Sequence, residues 1–266
     1  MGVPEKILCI AAHPDDLDFG AAGTIAAWAS KGVKVTYLII TDGDAGGNDR
    51  SISRRDMAML RQKEQRQAAK EVGVTDVHFL GYSDGRVTCT IELRRDISRF
   101  IRQLKPDRVL APSPERSWDR IFASHPDHMA VGEASVFAIY PDARNPFAHP
   151  ELLNDELEPH TVKELWLMAA PSSFLGPQGS KESYKEASFD CLEPSPLLGQ
   201  PGTWVCAVDI TETFQNKINA LKSHASQTNG MEDLEGLIRA WTEITASTYG
   251  LADGHLAECF QVVYTG

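Results

Sequence analysis

The chain has 266 residues, of which 42% are hydrophobic and 24% charged, and its formal net charge is -11. This length favours one large α/β domain, and the composition excludes global disorder and a fibrous repeat. The negative charge argues against nucleic acid and anionic membranes as partners, because both bind positively charged surfaces. A neutral or cationic small molecule suits the chain better.

The cysteine pattern and the N-terminal segment predict the cellular context. Five cysteines occur without a CxxC pair, at positions 9, 89, 191, 206 and 259. An odd number without that pair argues against a disulfide framework and against a cysteine zinc cluster. The N-terminal segment lacks the basic region of a signal peptide, and no later stretch has the length of a membrane span. We therefore expect reduced, mostly buried cysteines and a cytoplasmic protein.

The first 140 residues alternate between strand and helix patterns. Continuous apolar runs predict parallel strands that are covered on both faces, at 6–12, 34–40, 77–80 and 107–111. Helices are predicted between them, at 23–32, 53–72 and 91–104. Gly32 suits a left-handed C-cap and Ser53 suits an N-cap. The alternation predicts a Rossmann-like, three-layer α/β/α fold with a mostly parallel sheet.

The rest of the chain divides into two parts of the same domain. Nine prolines punctuate residues 141–202, around a predicted strand at 164–170, and we expect this Pro-rich region to wall the substrate site. C-terminal strands and helices follow in residues 203–266, at 203–210, 211–227, 234–250 and 257–264. A single domain is thus expected over 1–266, with 1–140 as its Rossmann-like core and a loop-rich C-terminal part.

Two copies of the tripeptide His-Pro-Asp stand after predicted strands. The first begins at His13 and is followed by Asp16, and the second begins at His125 and is followed by His128. Ligands of such sheets bind beyond the carboxyl ends of the strands, so both copies lie where a site is expected. His13, Asp16 and His128 offer the donors of a catalytic zinc site, two imidazoles and a carboxylate, with positions open for water and substrate. Zn²⁺ is therefore the expected cofactor.

The residues beside these ligands are predicted to transfer protons. Asp15 is the spare carboxylate, placed to act as general base on a metal-activated water. His125 is the spare imidazole, and Asp127 is expected to hold its other ring nitrogen. That contact would favour an imidazolium that stabilises an oxyanion or protonates a leaving amine. Asp18 is expected to be structural or to support a ligand.

At these motifs the sequence resembles the PIG-L/LmbE-like zinc de-N-acetylases, a family of N-acetylglucosaminyl conjugate deacetylases. The stretches that carry the resemblance follow in the family's order, as AAHPDDLDFGAAGTIA, TDGDAGG, RQKEQRQAAKEVGV, FLGYSDG, SHPDHMAVGEA and ALKSHASQ. The resemblance implies one zinc, Asp15 as general base and His125 as acid or electrostatic partner. It also implies an N-acetylated amino sugar or its conjugate as substrate, and a homo-oligomer.

The resemblance further implies contacts with the substrate. Arg61 matches a substrate-contacting position, and Asp84 in YSDG matches a position near the sugar. Asp44 in TDGDAGG either lines the site or forms the turn. Some relatives carry a tyrosine where this chain has Ala123, so either another donor replaces it or the step depends on zinc and His125 alone. His224 has no assigned role and is expected to be a helix residue packed against the core.

Hydrolysis of an acetamide to acetate and a free amine is the leading prediction, and two other functions stay open at the level of sequence. Asp42 and Asp44, after the second predicted strand, suit the Mg²⁺ of a phosphohydrolase, although this leaves both His-Pro-Asp motifs without a role. A non-catalytic sugar-binding or nucleotide-binding module is the third possibility, because a fold does not determine function.

Overall fold

The computed structural model describes residues 4–47, 49–118, 121, 124–168 and 203–266. The strands in these residues are β1 (Lys6–Ala11), β2 (Lys34–Thr41), β3 (Asp76–Tyr82), β4 (Arg108–Pro112), β5 (Glu164–Met168), β6 (Thr203–Asp209) and β7 (Ala257–Tyr264). The helices are α1 (Asp16–Ser30), α2 (Arg54–Glu71), α3 (Ile91–Leu104), α4 (Pro126–Ile139), α5 (Glu151–Asn154), α6 (Phe214–Ser223), α7 (Ala225–Thr228) and α8 (Leu234–Thr248).

The described strands form one sheet in the order β3-β2-β1-β4-β5-β7-β6. Strands β1 to β5 pair in parallel, and β7 runs antiparallel to both of its neighbours. The chain moves outward from β1 to β3 and then crosses to β4 on the other side of β1, so a crevice opens beyond the carboxyl ends of β1 and β4. The prediction of a Rossmann-like, mostly parallel sheet is confirmed.

Burial on both faces explains the continuous apolar run of β1. Ile7, Cys9 and Ala11 face one apolar cluster, to which α1, α2, α6 and α8 contribute. Leu8 and Ile10 face the opposite cluster, with residues of α3 and α4. Because successive strand residues point to opposite faces, a strand in the middle layer needs an apolar residue at every position.

Helix α1 begins at Asp16, earlier than the sequence pattern indicated. Glycine is unfavourable inside helices, so Gly20 and Gly23 lower the helix propensity of this segment. In the structure both glycines permit close packing: a Cβ would lie 2.6 Å from Sδ of Met168 at Gly20, and 2.7 Å from Ile210 at Gly23. Tertiary packing therefore overrides helix propensity here. The predicted caps are present, since Ser53 accepts the N–H of Asp56 and Gly32 has φ +84°.

The single helix predicted over 211–227 is interrupted. A 3₁₀ turn at Thr211–Thr213 precedes α6, and the helix breaks at His224, whose φ of -86° and ψ of 53° are not helical. The break brings Nε2 of His224 to 2.7 Å from Oδ2 of Asp18. The predicted strand at 164–170 is observed as far as Met168. Its last two positions and most of the Pro-rich region lie outside the described residues, and the division into three parts stays a prediction.

The described residues contain no helix with the length and apolar character needed to cross a membrane. Cys9, Cys206 and Cys259 are buried thiols and Cys89 is a half-buried one, as expected. Cys191 lies outside the described residues.

Candidate active site

The turn between β1 and α1 places three titratable side chains at the crevice. Asp15 has a left-handed backbone conformation, with φ 89°, immediately before the first residue of α1. An aspartate before a helix ordinarily adopts an extended conformation and uses its carboxylate to accept helix N–H groups. The carboxylate of Asp15 makes no such bond. Asp16 instead folds the turn back, because its carboxylate accepts the N–H of His13 at 2.8 Å.

The second motif forms the start of α4, beyond the end of β4. Pro126 occupies the first turn, where its missing N–H is not needed. His125 caps the helix, and its Nδ1 accepts the N–H of Asp127 at 3.3 Å. Gly132 lets α4 approach β4, since a Cβ at this position would lie 2.6 Å from the carbonyl oxygen of Pro112. This packing brings His128 to the crevice beside the first motif.

The three predicted metal ligands meet at this point. Nδ1 of His13 lies 3.1 Å from Nε2 of His128. The carboxylate of Asp16 lies 3.0 Å from Nε2 of His128 and 3.6 Å from Nδ1 of His13. Atoms that each lie about 2 Å from one zinc ion are separated by about 3 to 4 Å. The donor set and its spacing therefore fit a zinc ion.

The charges around these donors favour a cation. Burial lowers the pKa of His13, but the hydrogen bonds and charges of Asp16 and Asp84 outweigh it and raise that pKa to about 11. Burial raises the pKa of Asp16, and the two histidines reverse this, holding it well below its usual value. The carboxylate of Asp16 likewise raises the pKa of His128 against the effect of burial. Carboxylates thus draw positive charge to this place, which a proton or a metal cation can supply.

Asp127 contacts a different histidine from the one expected. Its Oδ2 lies 3.1 Å from Nε2 of His13, and its carboxylate also accepts the N–H groups of Gly85 at 2.7 Å and Val87 at 3.1 Å. The prediction that the carboxylate of Asp127 holds a ring nitrogen of His125 is wrong. The group of Asp127 that contacts the His125 ring is its main-chain N–H. A carboxylate on the far nitrogen of a metal-binding histidine fixes the orientation of its ring. Asp127 therefore orients His13.

Two further groups of side chains in the described part of the chain could hold a metal ion, and both include His13. One adds His125 and His128, and the other adds Asp84 and Asp127, with ligand atoms within 4.8 Å of one another. Asp84 and Asp127 approach Nε2 of His13, at 3.3 and 3.1 Å, whereas the predicted ligands approach Nδ1. The acidic pair is thus on the side of the ring away from His128.

His125 lies beside the predicted metal ligands His13 and His128, and its pKa is lowered. Its ring centroid is 4.9 Å from that of His13 and 5.3 Å from that of His128. Burial lowers the pKa of His125, and the two neighbouring histidines lower it further. These effects oppose the expected imidazolium. Because Nδ1 accepts an N–H, the proton of a neutral His125 ring lies on Nε2, and the neutral ring still offers a hydrogen-bond donor.

Asp15 has the environment of a general base. Nη2 of Arg61 lies 3.1 Å from Oδ2 of Asp15, and Oε1 of Gln65 accepts the main-chain N–H of Asp15 at 2.8 Å. Burial raises the pKa of Asp15 to about 7, although the charge of Arg61 acts in the opposite direction. A base with a pKa near neutrality is well matched to proton transfer at physiological pH.

Arg61 is buried and contacts the protein itself. Besides Asp15, its guanidinium donates to the carbonyl oxygen of Pro14 at 2.6 Å and to that of Gly43 at 3.1 Å. The glycines of TDGDAGG make room for it: a Cβ at Gly43 would lie 2.5 Å from Nη1 of Arg61, and one at Gly46 would overlap the same atom. In this structure Arg61 supports Asp15, and its contact with a substrate stays a prediction.

Asp84 and Asp44 form a linked pair at the edge of the site. Oδ1 of Asp84 lies 3.3 Å from Nε2 of His13, and its Oδ2 accepts the N–H of Ala45 at 3.2 Å. Both oxygens of Asp44 are engaged, one with the N–H of Asp84 and the other with Arg54. Asp44 therefore forms the turn and supports Asp84. Substrate binding by either residue stays a prediction.

The sequence predicts neither a role for Gln65 nor the contact of His224 with Asp18. Both side chains are fully buried, and both bond the carboxylate of Asp18, at 2.8 and 2.7 Å. Asp18 is thus a supporting residue, one of the two roles expected for it. The available signal for Gln65 was its position four residues after Arg61, on the same face of α2. Ala123, the position of the tyrosine in some relatives, lies outside the described residues.

A protein-family model and several known proteins are similar to this chain in sequence. The family model described as PIG-L: GlcNAc-PI de-N-acetylase matches residues 8–139. Diacetylchitobiose deacetylase from Thermococcus kodakarensis is 30% identical over 255 residues, covering 94% of this chain and 80% of the relative. A probable N-acetyl-alpha-D-glucosaminyl L-malate deacetylase 2 from Bacillus anthracis is 33% identical over 171 residues, covering 60% of this chain and 73% of the relative.

A solved structure shares the fold across almost the whole chain. N,N'-diacetylchitobiose deacetylase from Pyrococcus horikoshii, complexed with its inhibitor MPG, superposes with a TM-score of 0.78 at 26% sequence identity. The alignment covers 98% of this chain and 84% of that chain. Together with the doubled His-Pro-Asp motif at one crevice, these similarities show that the chain belongs to the PIG-L family of GlcNAc-PI de-N-acetylases.

Proposed function

We propose that this protein is a Zn²⁺-dependent hydrolase that removes the N-acetyl group from an N-acetylglucosamine-type sugar or its conjugate. The observation that carries the proposal is the meeting of His13, Asp16 and His128, with donor atoms 3.0 to 3.6 Å apart, next to the buried carboxylate of Asp15. The names of the relatives support the substrate class, since one acts on diacetylchitobiose and another is a probable N-acetylglucosaminyl malate deacetylase.

His13, Asp16 and His128 would hold the ion, one per chain. Two imidazole nitrogens and one carboxylate suit Zn²⁺, whereas Mg²⁺ prefers oxygen ligands and water. A zinc ion held by these residues would supply Lewis-acid chemistry: it would polarise the acetamide carbonyl and lower the pKa of a water molecule toward neutrality. Asp127 keeps Nδ1 of His13 turned toward the other two ligands, because its carboxylate holds Nε2 of the same ring.

Proton transfer falls to Asp15 and His125. Asp15 takes a proton from the water that attacks the acetamide carbon, and it passes this proton to the leaving nitrogen as the C–N bond breaks. The products are an amine and acetic acid, which ionises to acetate at neutral pH. Burial keeps Asp15 a moderately strong base, and Arg61 keeps its carboxylate in place. The Nε2–H of His125 is the hydrogen-bond donor for the oxyanion or the leaving amine, and its Nδ1 is oriented by the N–H of Asp127.

The proposal also covers the partner, the oligomeric state and the cellular location of the protein. We propose a small-molecule sugar or glycoconjugate as partner, which suits the net charge of -11. The family resemblance supports a homo-oligomer. Buried thiols such as Cys9 support a reducing cytoplasmic location, since disulfides are rare there.

Metal analysis of two variants tests the proposal. Protein purified without chelator is expected to hold about one zinc per chain. His128→Ala should lose zinc affinity, and Asp15→Ala should retain zinc while hydrolysis of N-acetyl sugars is lost. His78→Ala is the matched control, because the side chain of His78 is 43% exposed on β3. A chain that binds no zinc and hydrolyses a phosphate ester with Mg²⁺ would contradict the proposal and point to Asp42 and Asp44.

A further inference from the structure

A line of buried hydrogen bonds connects the backbone of Asp15 to the C-terminal part of the chain. Oε1 of Gln65 accepts the N–H of Asp15 at 2.8 Å, and its Nε2 donates to Oδ2 of Asp18 at 2.8 Å. Nε2 of His224 lies 2.7 Å from the same oxygen. Gln65, Asp18 and His224 are all fully buried, so water does not compete for these bonds.

The chemistry of the partners allows only one orientation of the Gln65 amide. The N–H of Asp15 requires an acceptor, and the carboxylate of Asp18 requires a donor. An amide offers one of each, with its oxygen toward Asp15 and its nitrogen toward Asp18. Neither an acid nor an apolar residue of the same size can satisfy both neighbours.

The part of this hydrogen-bond line that includes His224 is fixed by further bonds between α2 and the C-terminal segment. Glu64, the neighbour of Gln65 on α2, accepts the N–H of Ser226 at 2.8 Å and its hydroxyl at 2.6 Å. These bonds hold the junction between α6 and α7 against α2. His224 lies at this junction, where its side chain reaches Asp18. Helix α2 and the C-terminal segment thus both bond the first turn of α1, through Gln65 and His224.

Asp15 needs such support because its conformation is uncommon. A non-glycine residue with positive φ occupies a sparsely populated region, which persists only where surrounding contacts hold it. Gln65 holds the N–H of Asp15, and Arg61 holds the carbonyl of Pro14 just before it. Without the acceptor, the favourable alternative is the extended conformation of an ordinary N-cap, in which the carboxylate bonds the N–H groups of α1. In that conformation the carboxylate of Asp15 would be bonded to the helix and would not be available to a water molecule.

We infer that Gln65, held by Asp18 and His224, is a positioning residue that keeps Asp15 left-handed and thereby keeps its carboxylate available to the reacting water. The assignment of Asp15 as the base rests on the proposed function, whereas the conformational part does not. The two side-chain hydrogen bonds of Gln65 go to Asp15 and Asp18 and not to the three predicted metal ligands.

Kinetics of Gln65→Met test the catalytic part of the inference. The variant should bind zinc like the wild type, and kcat should fall on the order of 100-fold because the base is displaced. KM should change by less than about threefold, because the interaction lost is used in the chemical step. Gln67→Met is the matched control, since Gln67 is exposed on the same helix. If Gln65→Met does not fold, Gln65→Asn replaces it, because its shorter amide does not span both partners.

A double-mutant cycle separates positioning from a general structural role. In an Asp15→Asn background, Gln65→Met should reduce the residual rate by no more than about twofold, because the group through which Gln65 acts is already gone. A reduction as large as that in the wild-type background would overturn the inference.

Amide hydrogen exchange of the metal-free protein tests the conformational part without any activity. The N–H of Asp15 should exchange at least about tenfold faster in Gln65→Met, while amides in the middle of α1 keep their protection. Unchanged exchange at Asp15 would overturn the inference, whatever the activity. Faster exchange in a protein whose wild type deacetylates nothing would support the positioning of Asp15 and contradict only the proposed function.

Discussion

The carboxylate of Asp127 lies 3.1 Å from Nε2 of His13, although the two residues are 114 positions apart. Each belongs to a different His-Pro-Asp motif, so the second motif orients the histidine of the first. The same ring presents Nδ1 to His128, at 3.1 Å. The two motifs are thus parts of one site, joined through both nitrogens of His13.

Asp127→Asn is expected to weaken zinc binding by about 10-fold to 100-fold, because removal of such outer partners has this effect on metal sites. The amide nitrogen would replace one of the two carboxylate oxygens and would therefore face the N–H group of either Gly85 or Val87, at a cost in stability of about 1 to 3 kcal/mol. Competition with a chelator measures the affinity. Asp155→Asn, at a half-exposed side chain, is the control. Equal zinc affinity in both variants would exclude a role for Asp127 in orienting His13.

Arg61→Met is expected to move the acid limb of the pH profile. The guanidinium, 3.1 Å from Asp15, favours the ionised carboxylate, so its removal raises the pKa of Asp15. The base acts only when deprotonated, and kcat/KM should therefore begin to fall at a higher pH than in the wild type. The pH dependence of kcat/KM measures the shift, with the exposed Arg55→Met as control. An acid limb that stays at the same pH or moves to lower pH would contradict the claim that Arg61 stabilises the ionised carboxylate of Asp15.

Gly46→Ala tests the space that TDGDAGG provides for Arg61. The added methyl group would overlap Nη1 of Arg61, the movable end of a flexible side chain. We expect the free energy of unfolding to fall by about 1 to 3 kcal/mol, because the displaced Arg61 loses its bonds to the buried carbonyl oxygens of Pro14 and Gly43. The kcat should fall about tenfold as Arg61 leaves Asp15. Gly230→Ala is the control, because a Cβ there meets no heavy atom within 4 Å. A fully active Gly46→Ala protein would show that the position of Arg61 does not matter for catalysis.

Lys217→Met is expected to destabilise the fold. Lys217 is buried, with Nζ 2.7 Å from Oε1 of Glu258, and it also donates to the carbonyl oxygens of Asp18 and Phe19. Its loss leaves the Glu258 carboxylate buried without a cation, which costs about 3 to 5 kcal/mol. Urea unfolding measures the change, and the exposed Lys222→Met on the same helix is the control. Equal stabilities would rule out a substantial contribution from the pair.

The meeting of His13, Asp16 and His128 could be predicted because local rules determine it. The apolar run of β1 indicates a buried strand, and Pro126 indicates the start of a helix. Ligands collect where such strands end, which brings both motifs to one crevice. The sheet and most of its helices could be predicted from the same periodicities.

The contacts around the base could not be predicted, because they depend on packing between distant segments. The left-handed conformation of Asp15 is unusual for a non-glycine residue, and its acceptor, Gln65, comes from another helix. The interruption at His224 has no local breaker such as proline, and the buried carboxylate of Asp18 provides its partner. The expected pairing of Asp127 failed for a similar reason, since sequence proximity to His125 does not determine which ring its carboxylate reaches.

The most direct test of the account is the simultaneous measurement of acetate and primary amine released from N,N'-diacetylchitobiose and other N-acetylglucosaminyl compounds. The zinc-loaded protein should release acetate and amine in equal amounts from at least one of them. Asp15→Asn, loaded with the same amount of zinc, should be slower by about 10² to 10⁴, the contribution of a general base. No acetate from any of these compounds, or equal rates for Asp15→Asn and the wild type, would contradict the account.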